Sequence, residues 1–198
     1  MSISYTGLIM RVKLSDIAHF QSGVYAKPGI DPDILYLQSV HFSNFGEFNS
    51  SVRPVLKRDY GLTNHLLNEG DILFAAKGLN NFAVVYQKTI GQAVASSSFI
   101  VLRINSKYGS SISPEFLAWL LSHDKQVKLL HSKQLGTTIP SISIAQLKEI
   151  TITIPPVDVQ HKIVAVQKLH EKEIQISERL AECRQKQVQH LLSKALNK

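Results

Sequence analysis

The sequence is poor in cysteine and has no long apolar run. Cys183 is the only cysteine, so no intramolecular disulfide can form and no zinc site can be built on cysteine pairs. A reducing cytoplasm suits such a chain. No stretch reaches the roughly 18–20 apolar residues that a membrane-crossing helix requires, and Met1 to Met10 has neither the charged start nor the apolar centre of a signal peptide. The expectation is a soluble, cytoplasmic protein with no membrane partner. Acidic residues are also few, with 15 Asp and Glu against 22 Lys and Arg, a formal charge of +7 and a pI near 9.5. Such an excess suits a polyanion, and nucleic acid heads the candidates, although many basic proteins bind none. With 44% hydrophobic and 19% charged residues, the chain is neither disordered nor of low complexity.

The usual catalytic signatures are absent as well. A methyltransferase acting on DNA amines would carry a Gly-rich cofactor loop and an Asn or Asp before Pro-Pro and an aromatic residue, whereas Pro155-Pro156 here follows Ile154 and precedes Val157. Neither a phosphate-cradling Gly-Lys-Ser/Thr loop nor a dinucleotide Gly fingerprint occurs. Glu171-Lys172-Glu173 lacks the upstream acid that a metal-dependent nuclease needs. The eight histidines are scattered and give no zinc-hydrolase pair with a flanking glutamate. The chain reads as a non-enzyme that holds no cofactor or metal of its own.

What is present reads as mixed α and β structure. Ser15 or Asp16 starts a helical turn, Gly23 and Pro28-Gly29 break the chain, and Ile34-Leu35-Tyr36-Leu37 is strand-like. Ile72-Leu73-Phe74-Ala75 follows the turn residues Asn68-Glu69-Gly70-Asp71 and neighbours the apolar run Phe82 to Tyr86. Phe99 to Ile104 is a third strand. Ser113 as N-cap and Pro114 at the first helical position open one packed helix with Phe116, Leu117, Leu120, Leu121, Val127 and Leu130 on its apolar face. The alternating β-branched run Ile150 to Ile154 is a strand that the diproline ends.

The last stretch has no glycine and no further proline from Val157 to Lys198, only good helix formers. A single helix of that length would reach roughly 60 Å, far beyond what one domain needs to cover its core. Ile163, Val166, Ile174, Leu180, Val188 and Leu191 suggest a seam for helix pairing without a clean heptad. The expected fold is α+β: a mixed domain over residues 1–154 and a spacer or dimerisation helix over 155–198 that pairs as a coiled coil.

Five segments then point to a family. Val12-Lys13-Leu14-Ser15-Asp16-Ile17-Ala18 and Leu67-Asn68-Glu69-Gly70-Asp71-Ile72-Leu73-Phe74 are followed by Leu135-Gly136-Thr137-Thr138-Ile139-Pro140-Ser141-Ile142. Leu147-Lys148-Glu149-Ile150 and Ile154-Pro155-Pro156 with Gln160 and Ile163 complete the order. Together they resemble the specificity subunit of Type I restriction-modification systems. Such subunits carry two target-recognition domains and two helices, and this sequence resembles one of each, a half-size form. The resemblance implies double-stranded DNA as ligand and a homodimer that rebuilds a bipartite reader. It also implies a separate modification subunit carrying S-adenosylmethionine and a restriction subunit for cleavage.

Within that reading, Lys77, Asn80 and Asn81 lie in a polar loop between two strands. Each asparagine could pair with an adenine edge, or the loop could be an ordinary hairpin turn. Arg53, Lys57 and Arg58 form a basic cluster suited to phosphate, and Lys27 beside Pro28-Gly29 is a further candidate. Two other readings stay open: a homodimeric DNA-binding regulator with no enzyme partner, and a coiled-coil scaffold protein.

Overall fold

The computed structural model describes residues 9–43, 46–49, 51–57, 60–78, 81–123, 125–132 and 141–196. The chain divides into two compact units, one reaching His161 and one beginning at Lys162. Strand β1 (Met10–Lys13) runs into a single helical turn, α1 (Leu14–Ile17), and then into β2 (Ala18–Ser22). Lys13, not Ser15 or Asp16, holds the cap position of that turn. Tertiary contact sets this boundary, since Leu14 and Ile17 are fully buried and the Leu14 N–H donates to Ile150 O at 2.9 Å. There follow β3 (Leu35–Leu37), the short helix α2 (Tyr60–Thr63), β4 (Ile72–Ala75), β5 (Ala83–Val85), β6 (Ala93–Ala95) and β7 (Phe99–Ile104). Helices α3 (Pro114–His123), α4 (Lys125–Ser132) and α5 (Ile144–Lys148) precede β8 (Thr151–Ile154) and the long α6 (Val157–Leu196).

The main sheet has the order β2-β7-β4-β5 with every pair antiparallel. β4 and β7 are its inner strands, which is why β4 and the Phe99–Leu102 part of β7 read as apolar runs rather than as alternating ones. On one face Leu73, Ala75, Phe99 and Val101 join a core that includes Leu35, Leu37 and Tyr86. Phe42 and Phe82 pack edge-on against Phe99, with centroids 5.9 and 6.2 Å apart, the arrangement that ring quadrupoles favour. Strand alternation turns Ile72, Phe74, Ile100 and Leu102 to the other face, and α3 packs against β4 and β5.

Two small pairings complete this unit. β1 lies antiparallel to β8, with Met10 opposite Ile154 and Lys13 opposite Thr151, and so joins residues near 10 to residues near 154. β3 lies parallel to β6, with Leu35 opposite Ala93. The turn before β4 is locked by Asp71, which is buried and takes two bonds from Arg103, at 2.7 Å from Nε and 2.6 Å from Nη2. That hydrogen-bonded carboxylate raises the pKa of Arg103 further. The same carboxylate accepts the Asn68 N–H at 2.8 Å.

Ser113 caps α3 as expected, accepting the Phe116 N–H on its hydroxyl at 3.3 Å. The expected single helix from Pro114 is two, α3 and α4. The Leu135 to Pro140 segment lies outside the described residues. Directly after the diproline, α6 begins with Pro156 O accepting from Val159 and Gln160. Gln160 is fully buried and ties the start of α6 to the domain: Oε1 accepts the Ser113 N–H at 2.9 Å, and Nε2 donates to Ser111 O and Pro155 O, each at 2.8 Å.

The second unit is α6 from Lys162. Val166, Leu169, Ile176, Leu180, Val188 and Leu191 all stand 49–69% exposed. Of the expected seam residues, Ile163 and Ile174 are only half-exposed, and Leu169 and Ile176 belong to the bare apolar set that the sequence reading had passed over. No helix among the described residues is long and apolar enough to cross a membrane.

Candidate nucleic-acid interface

A surface that holds DNA needs cations free to meet phosphate, and several cations here are not free. Arg103 is committed to Asp71. Lys13 Nζ lies 2.8 Å from Glu149, and that hydrogen bond and charge raise the lysine's pKa. The expected site residues divide differently.

Lys27 and Lys57, thirty residues apart in sequence, line one surface concavity of about 500 Å³ together with Tyr25, Leu62 and His65. Backbone pairing brings them there. The Gly29 N–H donates to Val55 O at 3.0 Å, the Asp33 N–H donates to Leu56 O at 2.9 Å, and Ile34 and Leu56 form an antiparallel bridge. Ile34 and Leu56 are buried with Val94, so the bridge is anchored in the core. Gly29 permits the approach, because a Cβ there would sit 3.1 Å from both the backbone N and the Cβ of Lys57. Both lysines are exposed. Lys57 Nζ is 4.0 Å from Asp31 with both side chains well solvated, a weak pair that leaves its charge available. Tyr25, which lines the same concavity, is 80% exposed, so an aromatic ring stands beside the cations; Ile30, just after Gly29, is 91% exposed. Asp31 follows at φ 56, a left-handed conformation that Asp tolerates better than most residues.

Arg53 does not join them. It lines a second concavity of about 420 Å³ with Asp33, Phe48 and Thr89, so the cluster expected from Arg53, Lys57 and Arg58 is divided, with Leu56 turned into the core between them. Arg58 and Asn80 lie outside the described residues. Lys77 is exposed and bridges Ser141. Asn81 is turned inward: its Nδ2 donates to Ala75 O at 2.7 Å, and its buried Oδ1 has no partner among the described residues. In this arrangement it braces the loop after β4 and does not present the paired donor and acceptor that an adenine edge requires.

Tyr25, Ile30 and His65 were not singled out by sequence reasoning. The one available signal was Pro28-Gly29 flanked by Lys27 and an exposed aliphatic. Among the described residues no group of three or more His, Cys, Asp or Glu could hold a metal ion. The arrangement offers binding chemistry: point charges suited to phosphate, with an aromatic ring beside them.

Comparison with known proteins bears on family and fold. None of the curated proteins matches the chain. Solved structures do. The S subunit of a Type I restriction-modification system from M. genitalium superposes with a TM-score of 0.57 at 16% identity, over 88% of this chain and 42% of that one. The HsdS subunit from Thermoanaerobacter tengcongensis gives 0.58 at 15% identity, over 90% and 41%. A chain from a structure describing complex assembly and conformational transition of the type I R-M system gives 0.55 at 16%, over 90% and 42%. At these identities the likeness is one of fold, a mixed α/β domain followed by a long helix, and this chain spans about 42% of the structures' length. The family model described as the Type I restriction modification DNA specificity domain matches residues 46–182, and the chain belongs to that family.

Proposed function

We propose that this chain reads a short sequence in double-stranded DNA as a non-catalytic specificity component of a cytoplasmic Type I restriction-modification system. The family match over residues 46–182 carries this reading. The Lys27 and Lys57 surface, with Tyr25 beside it, supplies the chemistry: cations on phosphate give affinity and register, and neighbouring side chains meet the groove. Its partners are a modification subunit, which carries S-adenosylmethionine and transfers the methyl group, and a restriction subunit. The bare apolar stripe on α6 supports self-association, so that two recognition domains read a bipartite site.

Selection from a random duplex library with the purified chain at moderate salt tests the proposal. Two inverted copies of a short motif at fixed spacing is the expected recovery. Recovery of nothing above background, with or without a modification subunit, would sink it.

A further inference from the structure

Gln21 decides which nitrogen of His65 carries the proton. Its Nε2 donates to the Asn64 carbonyl at 3.0 Å and lies 2.9 Å from His65 Nδ1. A carbonyl oxygen only accepts, so the amide nitrogen must face Asn64, and its second N–H then serves Nδ1. Turning the amide over would set Oε1 against the Asn64 oxygen and give up one of the two bonds. Nδ1 is therefore the acceptor, and in the neutral ring the proton sits on Nε2. Among the described residues Nε2 has no partner.

Both residues are held by the packed part of the fold. Gln21 lies in β2 opposite Val101 of β7. The His65 N–H donates to Leu62 O at 2.9 Å, Leu66 bridges Val94, and the Leu67 N–H donates to Ala93 O at 2.9 Å. Val94 is buried with Ile34 and Leu56, and Leu62 and Leu66 pack against that cluster. His65 is half-buried in the concavity that it lines with Lys27 and Lys57, both of which are exposed. The lysines are point charges on flexible stems, whereas the imidazole is a donor of fixed position.

The lining of the concavity selects the chemistry it accepts. None of the lining residues is Asp, Glu, Asn or Gln, and the polar side-chain groups are two ammonium groups, the His65 imidazole and the Tyr25 hydroxyl. With Nδ1 occupied, the first three only donate. In the major groove adenine and cytosine each present an amino group that needs an acceptor, whereas guanine presents two acceptors, O6 and N7, and no donor. Thymine offers one acceptor beside a methyl group.

We propose, resting on the DNA-recognition reading above, that His65 is a specificity-determining residue whose Nε2–H donates to the O6 and N7 edge of a guanine. Gln21 is the positioning residue that holds the tautomer. The lysines supply attraction without choice, and the neutral ring supplies choice without releasing a counterion.

Selection from a random duplex library with wild type and His65→Phe in parallel tests the assignment, and imidazole nitrogen shifts by NMR test the tautomer. The phenyl ring keeps the shape and removes the donor, and matching thermal midpoints show that the variant folds. The wild-type motif should contain a guanine whose preference the variant loses. Discrimination against the same site with adenine in that place should fall about tenfold, at an unaltered salt slope. The His65 signals, identified by their absence from the variant, should show a protonated Nε2 and a bare Nδ1. Gln21→Leu leaves His65 in place, so it carries the same test without that substitution: the tautomers should mix and part of the preference should go. An unchanged motif in His65→Phe, a preference lost at another base, or a protonated Nδ1 in wild type would overturn the assignment and leave DNA recognition standing. Equal weakening on selected and random duplexes would move His65 to the phosphates and overturn its part in base choice. A wild-type chain that recovers no motif would overturn the recognition reading and this role with it.

Discussion

Two buried polar side chains do more for this fold than their number suggests. Asp71 receives Nε and Nη2 of Arg103 and the Asn68 N–H, so one carboxylate ties the turn before β4 to β7. Charge-assisted bonds of this kind are roughly twice as strong as neutral ones, but Arg103 is 44% exposed and water will recover part of what is lost. Asp71→Ala should therefore lower stability by about 2 kcal/mol, measured as a shift of the urea midpoint at constant slope. A loss below about 0.5 kcal/mol would show that the turn holds without the carboxylate. Gln160 has no such solvent relief. All its partners are backbone groups, and Gln160→Ala strands the Ser113 N–H together with the carbonyls of Ser111 and Pro155. The expected cost is about 2–4 kcal/mol, with protease sensitivity appearing first near the start of α6. Unchanged amide-exchange protection at residues 111–113 would contradict it.

At the scale of elements, the strands that sequence shows clearly are those whose surroundings are symmetric. β4 and β7 lie inside the sheet, so the apolar runs Ile72–Ala75 and Phe99–Leu102 between turn signals announce them. The 40-residue α6 was equally legible, because nothing between Val157 and Leu196 can break a helix. Non-local pairing left no local trace. Neither the parallel match of β3 with β6 nor the closure of β1 on β8 follows from composition, and the meeting of Lys27 with Lys57 depends on the Ile34–Leu56 bridge, which no spacing rule encodes. Asn81 shows the converse: a residue type suited to base reading serves instead to brace its own loop. Gly23 marks another hidden contact. Its N–H donates to Phe99 O at 3.0 Å, and Val24 beside it bridges Ser96. A Cβ at position 23 would lie 2.6 Å from the Ser96 carbonyl carbon and 2.8 Å from Ala95 O, and backbone cannot yield as a side chain does. Gly23→Ala should cost about 1–3 kcal/mol by overpacking, with a lowered thermal midpoint and an unchanged unfolding slope. Wild-type stability would mean that the β2–β3 connection shifts freely.

For the whole molecule the +7 charge matters less than where it is free. Arg103 and Lys13 are matched by carboxylates, whereas Lys27 and Lys57 share one concavity, and among the described residues only Lys57 of the two has an ion-pair partner, Asp31 at 4.0 Å. If these two lysines neutralise phosphates, each releases counterions, and log Kd should rise with log salt at a slope that falls by about 0.9 for each contact removed. Lys27→Ala/Lys57→Ala should therefore cut the salt dependence by roughly 2, weakening cognate and random duplexes alike, because phosphate contacts carry no sequence information. Tyr25→Ala should behave differently. If this exposed, uncharged ring meets bases or sugars, its loss should lower the ratio of cognate to random affinity while leaving the slope unchanged. Titration of both variants on cognate and scrambled duplexes from about 50 to 300 mM salt separates these roles. An unchanged slope in the double lysine variant would remove this concavity from the DNA path and direct attention to Arg53, which faces a different one.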